Sequence, residues 1–233
     1  MIADIINRLN NELPATVKLV AVSKFHPFES IEQAYKAGQR RFAESRPQEL
    51  ASKVKTLESR REHNDDSDYM ADIEWHFIGH LQTNKLKMVL PHVSLVQSVD
   101  SVHLLDAIES WASANDKMIS VLLEPHVAAE DTKQGFAPEE IIDILKSAKE
   151  GRYPHILFKG IMGMATFTDD EAVMRSDFDA LRSVFDCARE YLGDMAGDFT
   201  ELSIGMSDDY PIAMEYGSTM VRIGSMIFGE RAY

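Results

Sequence analysis

Short apolar, β-branched runs alternate along the chain with longer stretches whose apolar residues recur at helical spacing. Ile2, Ile5, Ile6 and Leu9 mark an opening amphipathic helix. Residues 17–23 read as a strand and 30–37 as a helix closed by Gly38. A brief strand at 40–43 precedes a helix at 47–57. The alternation continues with a strand at 74–78, a helix at 85–90 stopped by Pro91, a strand at 94–99 and a helix at 102–114. Residues 117–123 form the next strand and 138–149 the next helix, with Pro138 at its start, where a missing N–H costs least. A strand at 156–161, a long helix at 171–192, a strand at 201–203, a helix at 208–216 and a strand at 220–223 complete the series.

Strands that alternate with helices favour a parallel sheet. Eight such strands in 233 residues match a closed eight-fold barrel, a fold of typically ~250 residues. An open doubly wound sheet rarely carries eight units, and no Gly-x-Gly-x-x-Gly or phosphate-loop signature supports one. The expected fold is therefore α/β, a single (β/α)8 TIM barrel over residues 1–233. The polar stretch 58–72 reads as a helix end and an exposed loop, too short to separate two domains.

Charge narrows the partners. With 24 Lys+Arg against 38 Asp+Glu the net charge is −14, which argues against a general nucleic-acid or anionic-membrane binder. The N-terminus carries Asp4 where a secretory signal needs a cationic start, and no apolar run approaches the ~18–20 residues of a membrane span. A cytoplasmic protein is expected. Cys187 is the one cysteine, which excludes an internal disulfide and a thiolate zinc cluster. It lies beside the stripe Phe178, Leu181, Phe185, Ala188 and Leu192 and is expected as a partly buried structural thiol.

In such barrels the active site lies at the C-terminal ends of the strands. The first strand ends in Ser23-Lys24-Phe25-His26-Pro27, which puts Lys24 at the barrel mouth. Low-dielectric walls there would depress an amine pKa and favour imine formation; the plainer alternative is a lysine in a solvated loop. At the other end of the chain, Ile204-Gly205-Met206-Ser207 is a glycine turn with Ser207 expected as a helix N-cap, a ready anion site. Arg222 ends the eighth strand and Gly224-Ser225 opens another tight turn. The fold commonly binds phosphate in the loops after strands seven and eight. A lysine facing a phosphate cradle suits a phosphorylated aldehyde, and pyridoxal phosphate has both handles.

The motifs make the resemblance specific. Leu19 to Lys24, Trp75-His76-Phe77-Ile78-Gly79-His80-Leu81-Gln82-Thr83-Asn84-Lys85, Ser98 to Ser101, Gly160 to Gly163, Leu202 to Ser207 and Gly217 to Gly224 stand in order over nearly the whole chain. Together they resemble the small pyridoxal phosphate homeostasis proteins, whose barrel is similar to the N-terminal domain of alanine racemase. The resemblance implies an internal aldimine between Lys24 and pyridoxal phosphate. It also implies phosphate held by Ser207 and the Gly224-Ser225 turn, and Arg222 facing the pyridine nitrogen. A guanidinium there keeps that nitrogen unprotonated and makes the cofactor a weaker electron sink. The sequence departs from the family where Ser45 replaces an asparagine near the cofactor, and where Leu123-Glu124-Pro125-His126 replaces a Gln-x-Asn.

His76 and His80 stand four apart, but residues 74–78 read as a strand and no third ligand is near, so no metal is expected. His80 is expected at the barrel mouth beside the cofactor or capping the next helix. Met162, Met164 and Met206 lie near strand ends, where core packing competes with contact to a cofactor ring; Met206 is kept among the cofactor contacts. Asp208-Asp209 reads as a helix-dipole partner. Three functions stay open: a carrier in pyridoxal phosphate homeostasis, which is preferred; a racemase-type enzyme; and a cofactor-free class I aldolase. The racemase-type enzyme needs a second acid/base from a further β-domain, and the sequence stops ten residues after the last expected strand. Apo pyridoxal-phosphate enzymes are the expected protein partners. No unusually apolar surface helix calls for a dimer, so a monomer is expected.

Overall fold

The computed structural model describes residues 1–63, 67–127 and 135–229. Eight parallel strands close in chain order into a barrel: β1 (Lys18–Val22), β2 (Arg41–Glu44), β3 (Glu74–Phe77), β4 (Leu95–Val99), β5 (Ile119–Leu123), β6 (Ile156–Met162), β7 (Glu201–Ser203) and β8 (Met220–Ile223). The expected barrel is the observed one. Closure pairs β1 with β8, setting Val20 opposite Arg222 and Ala21 opposite Ile223.

Alternation along the strands makes two apolar layers. Val20, Val22, Ala43, Leu95, Leu122, Met162 and Met220 pack together inside the barrel. The other strand face, with Leu19, Ala21, Phe42, Phe77, Val121, Ile161, Leu202 and Val221, joins the surrounding helices in the main core. Those helices are α1 (Ile2–Glu12), α2 (Phe28–Lys36), α3 (Pro47–His63), α4 (Leu86–Val89), α5 (Val102–Ala114), α6 (Pro138–Lys149), α7 (Glu171–Leu192), α8 (Tyr210–Glu215) and α9 (Ser225–Phe228). α9 is a single turn, and α1 packs against both it and α2, filling the ring where a full eighth helix would sit.

Three expectations need correcting. α3 runs to His63, six residues past the expected end, because tertiary partners sustain its polar final turns. There Arg61 donates to the carbonyls of Tyr69 and Met70, and Arg60 pairs with Glu29 and Glu32. The helix expected at 85–90 is a 3-10 turn at Thr83–Lys85 followed by the single turn of α4. Cys187 is exposed, not partly buried. It points roughly 120° round the helix from the centre of the stripe formed by Phe178, Leu181, Val184, Phe185 and Ala188, past the stripe's edge.

Candidate functional site

The mouth begins at the end of β1. Ser23, the next residue, is fully buried, donates its amide to the Ala43 carbonyl at 3.1 Å and gives its hydroxyl to Glu44 Oε1 at 2.6 Å. Lys24 comes next, half-buried at the head of a turn that leads into α2. Phe25 takes φ +67°, a left-handed conformation that costs a bulky residue free energy. Its N–H donates to Glu49 Oε1 at 2.6 Å, and the Arg46 guanidinium lies 4.4 Å over its ring.

Glu44 ends β2 on the helix-facing side and is fully buried. Burial pushes its carboxyl up to about 7, against the opposing pull of Lys53 and of the Ser23 hydroxyl. Lys53 of α3 donates to Glu44 Oε1 and Glu49 Oε1, each at 2.7 Å, and to the Ser23 carbonyl at 2.8 Å. Glu44 Oε2 is buried with no hydrogen-bond partner.

The turns after β7 and β8 meet. Ser207 Oγ accepts from the Gly224 N–H at 3.3 Å, so the two expected phosphate turns touch each other. Ser207 is not the N-cap of the following helix. α8 starts two residues later, at Tyr210 with Asp209 as N-cap, because the Asp209 carboxylate accepts from the Met206 N–H and closes a turn first. A Cβ on Gly224 would lie 3.2 Å from the Val22 carbonyl oxygen, so this turn sits against the end of β1. Ser225, exposed, opens α9, and Met206 is half-buried.

Arg222 is buried rather than paired at the surface. Its Nη1 donates to the Ser203 carbonyl at 2.6 Å and the Ser203 hydroxyl at 2.8 Å, and its Nη2 to the Gly163 carbonyl at 2.8 Å. Burial lowers its pKa to about 10, opposed by Glu124 and Asp209, so it stays cationic at neutral pH. The Ser203 hydroxyl donates onward to Gln97 Oε1 at 2.7 Å, and Gln97 Nε2 lies 2.8 Å from His76 Nδ1. Burial pushes His76 down to about 3, so it is neutral inside the barrel.

Across the mouth, His80 Nδ1 lies 2.9 Å from Asp100 Oδ2; the imidazole is about half exposed and the carboxylate buried. His80 therefore leans on the strand-four side and does not cap the following helical segment, whose 3-10 turn has Gln82 as its N-cap. Gly79, just before it, packs on β2: a Cβ there would lie 2.1 Å from the Ser45 carbonyl oxygen. Ser45 and His80 thus share the β2–β3 side, separated from Arg222 on β8 by β1. At the end of β5, Pro125 bridges to Phe136, and the His126 N–H donates to the Phe136 carbonyl at 2.8 Å. No group of three or more metal-ligating side chains occurs among the described residues.

The sequence reading missed the Glu44–Lys53–Glu49 cluster, Asp100, and the Gln97–Ser203 link to Arg222. The first had a legible signal. Glu44 shares strand parity with the core residue Phe42, and Glu49 and Lys53 are an i,i+4 pair on the next helix.

Comparison with known proteins places this geometry. The family model "Alanine racemase, N-terminal domain" matches residues 2–232. A curated pyridoxal phosphate homeostasis protein of Pasteurella multocida is 37% identical over 219 residues, covering 94% of this chain and 88% of that one. The Mus musculus protein of the same name is 40% identical over 236 residues, covering 97% and 81%. The chain belongs to the pyridoxal phosphate homeostasis protein family. Among solved structures, PipY of Synechococcus elongatus with pyridoxal phosphate bound has a TM-score of 0.84 at 30% identity, covering 98% of this chain and 100% of PipY. An alanine racemase from Clostridium difficile has a TM-score of 0.70 at 15% identity and shows the shared barrel alone.

Proposed function

We propose that this homeostasis-family chain binds pyridoxal phosphate through Lys24 and carries it within the cell without turning over a substrate. The observation that carries the reading is the junction of three features at neighbouring strand ends. These are Lys24 after β1, the Ser207 hydroxyl against the Gly224 N–H, and buried, cationic Arg222 on β8.

The donor set suits that molecule. When bound, pyridoxal phosphate supplies an aldehyde that a neutral lysine amine converts to a C=N link with loss of one water. Lys24 is assigned that link, and Ser207, Gly224 and Ser225 the phosphate. Arg222, a donor without acceptor capacity, faces the ring nitrogen and keeps it unprotonated, which limits electron withdrawal and suits holding over catalysis. Its guanidinium is pinned by Ser203 and Gly163, so its orientation is fixed before any ligand arrives. Ser45, His80 and Met206 complete the contacts. The shorter Ser45 leaves room for a water where an amide would reach.

Residues 1–233 work as one unit, a cytoplasmic monomer whose protein partners are apo enzymes that use the same cofactor. The net charge of −14 supports an account without nucleic-acid or anionic-membrane partners. Among the described residues no helix is long and apolar enough to cross a membrane.

Lys24→Ala tests the assignment. The variant is expected to lose the borohydride-trappable adduct while retaining weaker, phosphate-dependent binding. An unchanged adduct would overturn the role of Lys24. Sustained catalytic loss of an α-proton label from an amino acid by the unaltered protein would overturn the carrier reading.

A further inference from the structure

Beneath the β1 turn lies a buried ion cluster that none of the assigned contacts uses. The ammonium of Lys53 has three donors, and the structure spends them on the Ser23 carbonyl, Glu44 Oε1 and Glu49 Oε1. Glu49 Oε1 also accepts the Phe25 N–H at 2.6 Å, and Glu44 Oε1 the Ser23 hydroxyl at 2.6 Å. The peptide unit before Lys24 is thus held by Lys53, and the one after it by Glu49. One cluster grips both sides of the same residue.

Two further observations favour geometry over stability as its purpose. A buried ion cluster is a poor way to stabilise a fold, since apolar residues of similar volume do as well or better, and here Glu44 Oε2 is left without a partner. Phe25, meanwhile, sits at φ +67°, and such a conformation persists in a bulky residue only where surrounding contacts enforce it. Glu49 on its N–H and Arg46 on its ring are two such contacts.

We infer that Glu44, Lys53 and Glu49 form a positioning device that fixes the Lys24 turn in the geometry needed for covalent attachment of the cofactor. The inference rests on the proposed role of Lys24. The cluster touches neither ring nor phosphate; it acts through the backbone on either side of the attaching residue. Loss of one clamp therefore slows attachment without weakening the phosphate cradle, which hangs on β7 and β8.

The test compares Glu49→Ala and Glu49→Gln with the unaltered protein. Glu49→Ala removes the acceptor of the Phe25 N–H, whereas the glutamine amide oxygen retains one. The rate of adduct formation at Lys24 at saturating pyridoxal phosphate is expected to fall on the order of tenfold or more in Glu49→Ala, since misplacement of a reacting group by ~1 Å can cost a hundredfold. Glu49→Gln should recover most of it. Affinity for 4′-deoxypyridoxine phosphate, which keeps the ring and phosphate but lacks the aldehyde, should match the unaltered protein in both variants. In the ligand-free protein, hydrogen exchange at the Phe25 amide should accelerate in Glu49→Ala and return towards normal in Glu49→Gln. Attachment at the original rate in Glu49→Ala overturns the inference. So does a parallel loss of analogue binding, which marks general structural damage. Absence of an adduct in the unaltered protein instead removes the attachment reading itself, and the inference with it.

Discussion

At the N-terminal ends of the strands Lys18 pairs with Glu201, Arg41 with Glu74 and Lys159 with Asp198, and each pair has a member well open to water. At the opposite ends Glu44, Asp100 and Arg222 are all buried, and each is held by specific hydrogen bonds. The contrast separates charge that decorates a barrel from charge that shapes a site. Exposed pairs gain little, because water screens them and two side chains lose freedom to meet. Buried charges are expensive to desolvate, and at this end they hold specific groups: the peptide units either side of Lys24, the His80 ring, and the Ser203 and Gly163 carbonyls.

Substitutions at the two ends should behave accordingly. Lys53→Met leaves Glu44 and Glu49 with no cation between them, and should cost about 3–5 kcal/mol in chemical denaturation. A loss under ~1 kcal/mol would place this cluster with the surface pairs and break the contrast.

Next in size is a pH effect. Glu44 is raised in the folded protein from 4.5 to about 7, so between those values the native state holds a proton that the unfolded chain has released. Its contribution is therefore full below pH 4.5 and is lost as pH rises through about 7. Glu44→Gln should flatten the fall in stability over that window, measured by denaturation at a series of pH values. An identical slope in the variant would contradict the burial argument. Smallest is Lys18→Ala, expected to change stability by no more than about 1 kcal/mol, although Lys18 contacts Glu201 directly.

Much of this architecture was legible before the structure, because helical and strand periods are local. The bounds of α5, α6, α7, β7 and β8 coincide with the apolar pattern. Once a barrel is expected, its strand ends locate Lys24, Ser207, Arg222 and Gly224 without further information. The pattern failed where tertiary contacts override local preference. α3 outlasts its apolar stripe because Arg60 and Arg61 find partners on other segments. Ser207 yields the N-cap to Asp209 because that carboxylate closes the preceding turn. His80 with Asp100, and Glu44 with Lys53, join residues whose meeting depends on strand closure and helix packing, and no single segment reveals it.

The most direct measurement is the visible absorption of the purified protein titrated with pyridoxal phosphate, followed by borohydride reduction and peptide mass mapping. An imine band that saturates at one equivalent is expected, together with a reduced adduct on Lys24. A spectrum of free cofactor at every concentration, with no lysine modified, would contradict a cofactor held through Lys24.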